Sequence, residues 1–202
     1  MSAATLKARA DFEVIARLIP ERASVLDLGC GDGSLLQFLT ETRGVTGYGV
    51  EIDHENIVSC VRNGVNVIQD DLETGLADIG DAWFDFVILS QTLQAMRHTE
   101  VVVDEMLRVG RQGIVTFPNF GFWRNRLAVA LGNMPVSENL PYAWYDTPNV
   151  HLCTIDDFEA FCETRGIRIR ERVVLTRGAP ISRLPNFLGQ LAVYLFERNT
   201  VR

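Results

Sequence analysis

Apolar positions in this 202-residue chain follow two rhythms that take turns. In ADFEVIARLIP (10–20), Phe12, Ile15, Ala16 and Ile19 recur at helical spacing and Pro20 ends the run, which predicts a short amphipathic helix. SVLDL (24–28) is a brief unbroken apolar run and predicts a buried strand; GSLLQFLTETR after it predicts a helix that opens at a glycine loop. The alternation continues with strands at TGYGVEI (46–52), VNVIQ (65–69), FDFVILS (84–90) and QGIVTFP (112–118). Between them lie helices at HENIVSCVRNG, stopped by Gly64, and EVVVDEMLRVG (100–110), stopped by Gly110. TIDDFEAFCETRG (154–166) opens on a capping-box-like Thr154…Asp157 pair and stops at Gly166. IRIRERVVL (167–175) and QLAVYLFER (190–198) are the last strands.

Strands alternating with helices are crossover units of a parallel sheet with helices on both faces. The final pair breaks the rule. Only 14 residues (176–189) separate them, and Gly178, Pro180, Pro185 and Gly189 leave no comfortable place for a helix. The expectation is an α/β fold with a seven-stranded, mostly parallel sheet whose last strand is antiparallel. A single domain over 1–202 fits the length, which can bury roughly 70% of the surface of the unfolded chain. One stretch has no periodicity: GNMPVSENLPYAWYDTPNVHLC (132–153), with three prolines and a cluster of aromatics. A connection of that length reads as a lid or binding segment.

Composition narrows the function classes. A formal net charge of −7 and a pI near 5.0 argue against a nucleic-acid partner, since such binders need a basic face. The neighbouring pairs Arg124/Arg126 and Arg177/Arg183 read as solvated surface. No apolar run approaches the roughly 20 residues of a membrane span, and the first residues carry no signal pattern, so the expected location is cytoplasmic. Four cysteines without CxxC spacing and three histidines without a pair point to reduced thiols and no metal site.

The candidate chemistry sits in VLDLGCGDGSLL (25–36). A dinucleotide loop reads GxGxxG and sets a pyrophosphate on a helix N-terminus. Here Gly29, Gly31 and Gly33 alternate with Cys30 and Asp32, and Asp27 precedes them at the strand end. A carboxylate about 4–6 Å from a pyrophosphate costs on the order of 1 kcal/mol or more, whereas it suits a ligand carrying an ammonium and a sulfonium. S-adenosylmethionine therefore fits better than NAD. Downstream, Glu51 closes the second strand, where it can accept both ribose hydroxyls, and Ile52 can lie against an adenine face. Asp71, with Asp70 as the alternative, is placed to accept from the adenine amino group, and Leu72 offers a backbone amide. Ser90 and Gln91 end the fourth strand, where methyl group and acceptor would meet. Each of these alone also reads as a helix cap or a solvated carboxylate; it is their order and strand placement that read as one site.

LDLGCGDG, GVEID and IQDDL resemble the first, second-strand acidic and adenine-side motifs of the class I S-adenosylmethionine-dependent methyltransferases, over roughly residues 20–115. The resemblance implies their Rossmann-like fold, in which the seventh strand is reversed. FPNFGFWRNRLAVALGNMPVSENLPYAWYDTPNVHLCTI, together with ILSQTLQAM, resembles the methionine-biosynthesis protein MetW family over about 10–198, and WYDTPNVHLCT is far more specific than the glycine loop. That resemblance implies a small cytoplasmic protein of methionine synthesis. It implies S-adenosylmethionine or S-adenosylhomocysteine as ligand and a homoserine O-acyltransferase as the protein it works alongside.

Methyl transfer from a sulfonium is an in-line displacement in which the protein supplies alignment and desolvation, so a catalytic side chain need not stand out. LSQT at the fourth-strand end lacks the Asn-Pro-Pro-aromatic run that binds a planar nitrogen, which disfavours DNA adenine or glutamine amides as acceptors. Candidates on the acceptor side are Tyr142, Tyr145, Asp146 and His151, with Gln91 and Asn119 at strand ends; His151 is the best general base by its ordinary pKa. Two functions stand: a small-molecule methyltransferase, or a non-catalytic S-adenosylmethionine-responsive partner that activates the acyltransferase.

Overall fold

The computed structural model describes residues 10–137 and 139–199. The two ends of the expected 1–202 domain, and with them the N-terminal residues read for a signal pattern, lie outside those residues. Along the chain run α1 (Ala10–Leu18), β1 (Ser24–Leu28), α2 (Ser34–Arg43), β2 (Thr46–Glu51), α3 (His54–Arg62), β3 (Val67–Gln69), β4 (Phe84–Ser90) and α4 (Thr99–Val109). They are followed by β5 (Gly110–Pro118), α5 (Trp123–Ala130), α6 (Ile155–Thr164), β6 (Ile167–Thr176), β7 (Ala179–Ile181), α7 (Pro185–Leu188) and β8 (Leu191–Arg198). One eight-stranded sheet has the order β3-β2-β1-β4-β5-β8-β6-β7. β1 to β5 pair in parallel, and β8 inserts antiparallel between β5 and β6.

Side-chain alternation along the strands sorts the interior into two layers. Leu26, Leu28, Val87, Leu89, Val115 and Phe117 pack under α4 and α6; Val25, Phe86, Ile88 and Ile114 pack under α1, α2 and α3. Asp27 and Glu51 have the parity of the second layer, so both carboxyls face the α1–α3 side at the carboxyl ends of their strands. That end is where open parallel sheets bind ligands.

The reversed last strand is as expected; the strand count is not. Residues 179–181 form an eighth, three-residue strand that pairs with β6 as a hairpin, and 185–188 form a single helical turn with Pro185 near its start. Pro180 is compatible with this strand because β7 is an edge, where a missing N–H breaks no ladder. Gly110 caps the end of α4 as expected, its N–H donating to Met106 O, and it has a second role. It is extended (φ −116°), it begins β5, and a Cβ there would lie 2.4 Å from Val87 Cγ2, so glycine is needed for room. The expected capping box at Thr154 and Asp157 is present in both directions. Between 132 and 153 the described residues hold only an isolated bridge, Ser137 with Leu140.

Phe158 of α6 is the keystone of the larger layer. Its ring centroid lies 5.1 Å from Phe117, 4.8 Å from Tyr194 and 6.2 Å from Phe196. Tyr194 is fully buried, yet its hydroxyl is satisfied by donating to Glu159 at 2.8 Å. Phe158→Ala should lower stability by about 3–5 kcal/mol through lost transfer energy and a cavity that the flanking rings cannot close. Equilibrium urea unfolding checks this: the midpoint should fall with an unchanged slope.

Candidate functional site

The glycine loop leaves β1 and folds back onto β2. Gly29 and Cys30 both donate their N–H to Val50 O, at 2.8 and 3.1 Å. Gly29, Gly31 and Gly33 all have left-handed φ (65°, 55° and 79°), which only glycine adopts without strain. At Gly29 there is also no room, because a Cβ would lie 2.8 Å from Thr92 Cγ2. On β2, a Cβ at Gly49 would lie 2.3 Å from Cys30 Sγ, so this glycine is what lets the loop seat Cys30. Cys30 Sγ rests 3.7 Å from Cys60 Sγ, and Cys60 donates to Gly31 O at 3.1 Å. Burial pushes both thiols above their ordinary range.

Most of the loop's amides are already taken. Gly31 donates to Glu51 Oε2 (2.8 Å), Gly33 to Cys30 O (3.0 Å), and Ser34 to Asp32 Oδ1 (3.0 Å). A phosphate cradle needs such N–H groups free. Glu51 is a brace as well: its Oε1 accepts from Ile52 and Asp53, both at 2.9 Å, so one carboxylate lashes the loop to the end of β2. Its neighbour Asp27 is 2% exposed, and no described group donates a hydrogen bond to its carboxyl. Burial, and then the charge of Glu51, push the Asp27 carboxyl up to about 7. A buried acceptor pair with no donor, beside a loop with few free amides, fits a cationic ligand and not an anionic one.

The other predicted residues fall around this centre in different ways. Ile52 is 58% exposed just past the brace. Asp71 caps a one-turn helix at 72–74 by accepting from Glu73 at 2.9 Å, Asp70 accepts from Asp71 at 2.8 Å, and the Leu72 side chain packs into the core. Ser90 pairs hydroxyls with Thr116 at 3.2 Å. Gln91 sits at φ 52°, a conformation costing on the order of 1 kcal/mol, and is held there by its N–H to Thr116 O at 2.9 Å. Asn119 is a structural hub: it donates to Asn186 O and Gly189 O, and it accepts from Gly121. His151 bonds Arg97 O through Nε2 at 3.2 Å, and Tyr145 is 75% exposed against Trp144.

Two residues beside the site escaped the sequence reading. Gln91 Nε2 donates at 2.9 Å to Asp11, a 2% exposed carboxyl in the first turn of α1 that burial holds above its ordinary range. Gln94 donates to Gln91 O, accepts from the backbones of Val150 and His151, and leaves its Oε1 buried without a partner. The signal for Asp11 was a charge on the face of α1 shared with Ile15; Gln94 carried none.

Residues 9–196 match the family described as methionine biosynthesis protein MetW. The chain belongs to that family. It is 36% identical, over 93% of its length, to the "Bifunctional methionine biosynthesis protein MetXA/MetW" of Rhodopirellula baltica, and it spans about a third (32%) of that relative. Among solved structures, a SAM-dependent methyltransferase from Aquifex aeolicus aligns with a TM-score of 0.67 at 15% identity, covering 96% of this chain and 93% of that one. Magnesium protoporphyrin IX methyltransferase of Synechocystis, solved with SAH bound, aligns with a TM-score of 0.66 at 16% identity, covering 96% and 84%. The fold of this MetW-family chain is that of the class I methyltransferases.

The Asp27 carboxyl makes stability depend on pH with a definite sign. Its folded pKa of about 7 lies above the unfolded value near 3.8, so the folded state loses stability as pH rises from about 4 to about 7, on the order of 4 kcal/mol, and levels off above that. Asp27→Asn should therefore stabilise the ligand-free protein by an amount that grows across that window. Thermal melts at half-unit pH steps check this; a gain independent of pH would mean that Asp27 is ionised throughout.

Proposed function

We propose that this chain binds S-adenosylmethionine at the carboxyl ends of β1 and β2 and acts in methionine synthesis as a partner that makes a homoserine O-acyltransferase responsive to that ligand. The observation that carries the ligand reading is the buried Asp27 carboxyl, which accepts from none of the described groups while the adjacent Glu51 accepts from three. An ammonium or sulfonium is the group that satisfies it. The partner reading is supported by the relative in which MetXA and MetW halves share one chain. S-adenosylmethionine is the distal product of the pathway, so its binding here would be feedback. The cytoplasm is where such a protein would act.

The second reading is methyl transfer to a small molecule, favoured by the polar pair Asp11–Gln91 at the end of β4. Bound S-adenosylmethionine supplies a methyl group on a sulfonium, open to in-line attack. In this reading Gln91 orients an acceptor and Asp11 holds Gln91 in place. His151 and Tyr145 are the candidates for removing a proton, after the strap bearing them closes.

Calorimetry with S-adenosylmethionine should give binding that strengthens with pH up to about 7 and weakens about ten- to a hundredfold in Asp27→Asn, the loss expected for one charge-assisted bond. Unaltered affinity in that variant would place the ligand elsewhere. An acyltransferase assay with and without the chain and ligand, run beside methyl release from labelled S-adenosylmethionine, separates the two readings. Stimulated acyl transfer without methyl turnover supports the first; turnover with no effect on acyl transfer supports the second.

A further inference from the structure

The 132–152 strap keeps its backbone inward and its rings outward. Val150 and His151 donate to Gln94 O at 2.8 and 3.0 Å, and Phe120 donates to Cys153 O at 3.1 Å, so the strap is anchored at its carboxyl end. Leu140 tucks inward, but several other apolar side chains of the strap, and Leu131 before it, stay exposed. Trp144 is 73% exposed, Leu131 70% and Val136 62%. Met134, Tyr142, Trp144 and Leu152 line one shallow cleft of about 50 Å³. Trp144 and Tyr145 meet edge to face at 5.6 Å, which fixes both rings without covering them. Scattered exposed apolar residues need no explanation, but tryptophan and tyrosine gathered round one cleft have the composition of an interface centre.

We propose that this face, from Leu131 at the end of α5 through Trp144 to Leu152, is where the homoserine O-acyltransferase subunit docks. The inference rests on the partner reading above and adds its location. The occupant is argued from two observations. First, the name of a relative joins MetXA to MetW in one chain, of which this chain spans about a third, so a second protein is tethered to the MetW part there. Second, no lysine or arginine occurs between Arg126 and Arg165, while Asp146 lies beside Tyr145. The complementary partner surface is therefore apolar at its centre, with no acidic side chain opposite Asp146, while Arg97, whose carbonyl bonds His151, borders the strap's anchored end. A second copy of this chain fits less well: a twofold contact centred on Trp144 and Tyr145 would set Asp146 near its own image. The face also continues into the turn 91–94 that borders the cofactor cleft, because Gln94 holds the strap and bonds Gln91.

The test uses the full chain with the homoserine O-acyltransferase encoded in the same genome. Trp144→Asp and Leu131→Asp are exposed changes, and each should lower the affinity of the complex at least a hundredfold by sedimentation while leaving S-adenosylmethionine affinity within twofold by calorimetry. Trp83→Asp, at a tryptophan 67% exposed in another loop, should leave both unchanged. Wild-type affinity in both strap variants, or an equal loss in Trp83→Asp, would overturn the location. Self-association of the wild-type chain that the strap variants abolish would overturn it in favour of a second copy. A wild-type chain that fails to bind the acyltransferase with and without S-adenosylmethionine would instead remove the partner reading on which the location rests.

Discussion

Two carboxyls share one dry corner of this protein, and only one of them is satisfied. Glu51 accepts three backbone N–H groups, and in doing so it fixes the loop relative to the end of β2. Asp27 accepts none and is pushed toward neutrality by burial and by Glu51 itself. The surrounding residue choices follow from seating those two groups side by side. Gly49 makes room for Cys30, Gly29 makes room for Thr92, and the loop amides turn to Val50 O and Glu51. The loop is thus built before any ligand arrives, and what remains open is a demand for positive charge. The same preorganisation changes the meaning of Glu51: removing it leaves the N–H groups of Gly31, Ile52 and Asp53 without their acceptor, so its effect on binding cannot be read as one contact.

Much of this was legible in the amino-acid pattern, for an identifiable reason. The strands β1, β4 and β5 are largely buried on both faces and appear as apolar runs, and the glycines at 29, 31 and 33 mark left-handed backbone that no other residue adopts cheaply. Where the reading failed, the physics was tertiary. β7 is three residues at an edge, too short for a period. Gly110 does stop α4, but only the packing of Val87 against β5 shows that it is a spacer as well. Asp71, expected on the adenine side, also caps its own turn, a role that a carboxylate before Leu-Glu-Thr announces as readily as ligand binding, and the two roles do not exclude each other. Asp11 was hidden in an amphipathic helix, since a period counts apolar residues and passes over the single buried charge on their face.

The carboxyl end of β4 is organised by a tightly bonded turn. Residues 90–95 touch everything around them: Thr92 lies over Gly29, Gln91 holds the buried Asp11, and Gln94 holds the strap. Gln91 keeps a left-handed backbone although it is not glycine, which the Thr116 bonds and the Asp11 bond together sustain. A turn under this many constraints has few ways to move and moves as a unit. Any group that enters beside Gly29 and Ser90 presses on that unit first. Because the strap is bonded to the same turn through Gln94, a change at the loop has a short covalent and hydrogen-bonded route to the exposed ring of Trp144. Thr92 against Gly29, the Gln91–Asp11 bond and the bonds from Val150 and His151 to Gln94 O thus all fall on the six residues 90–95, which join the glycine loop, α1 and the strap.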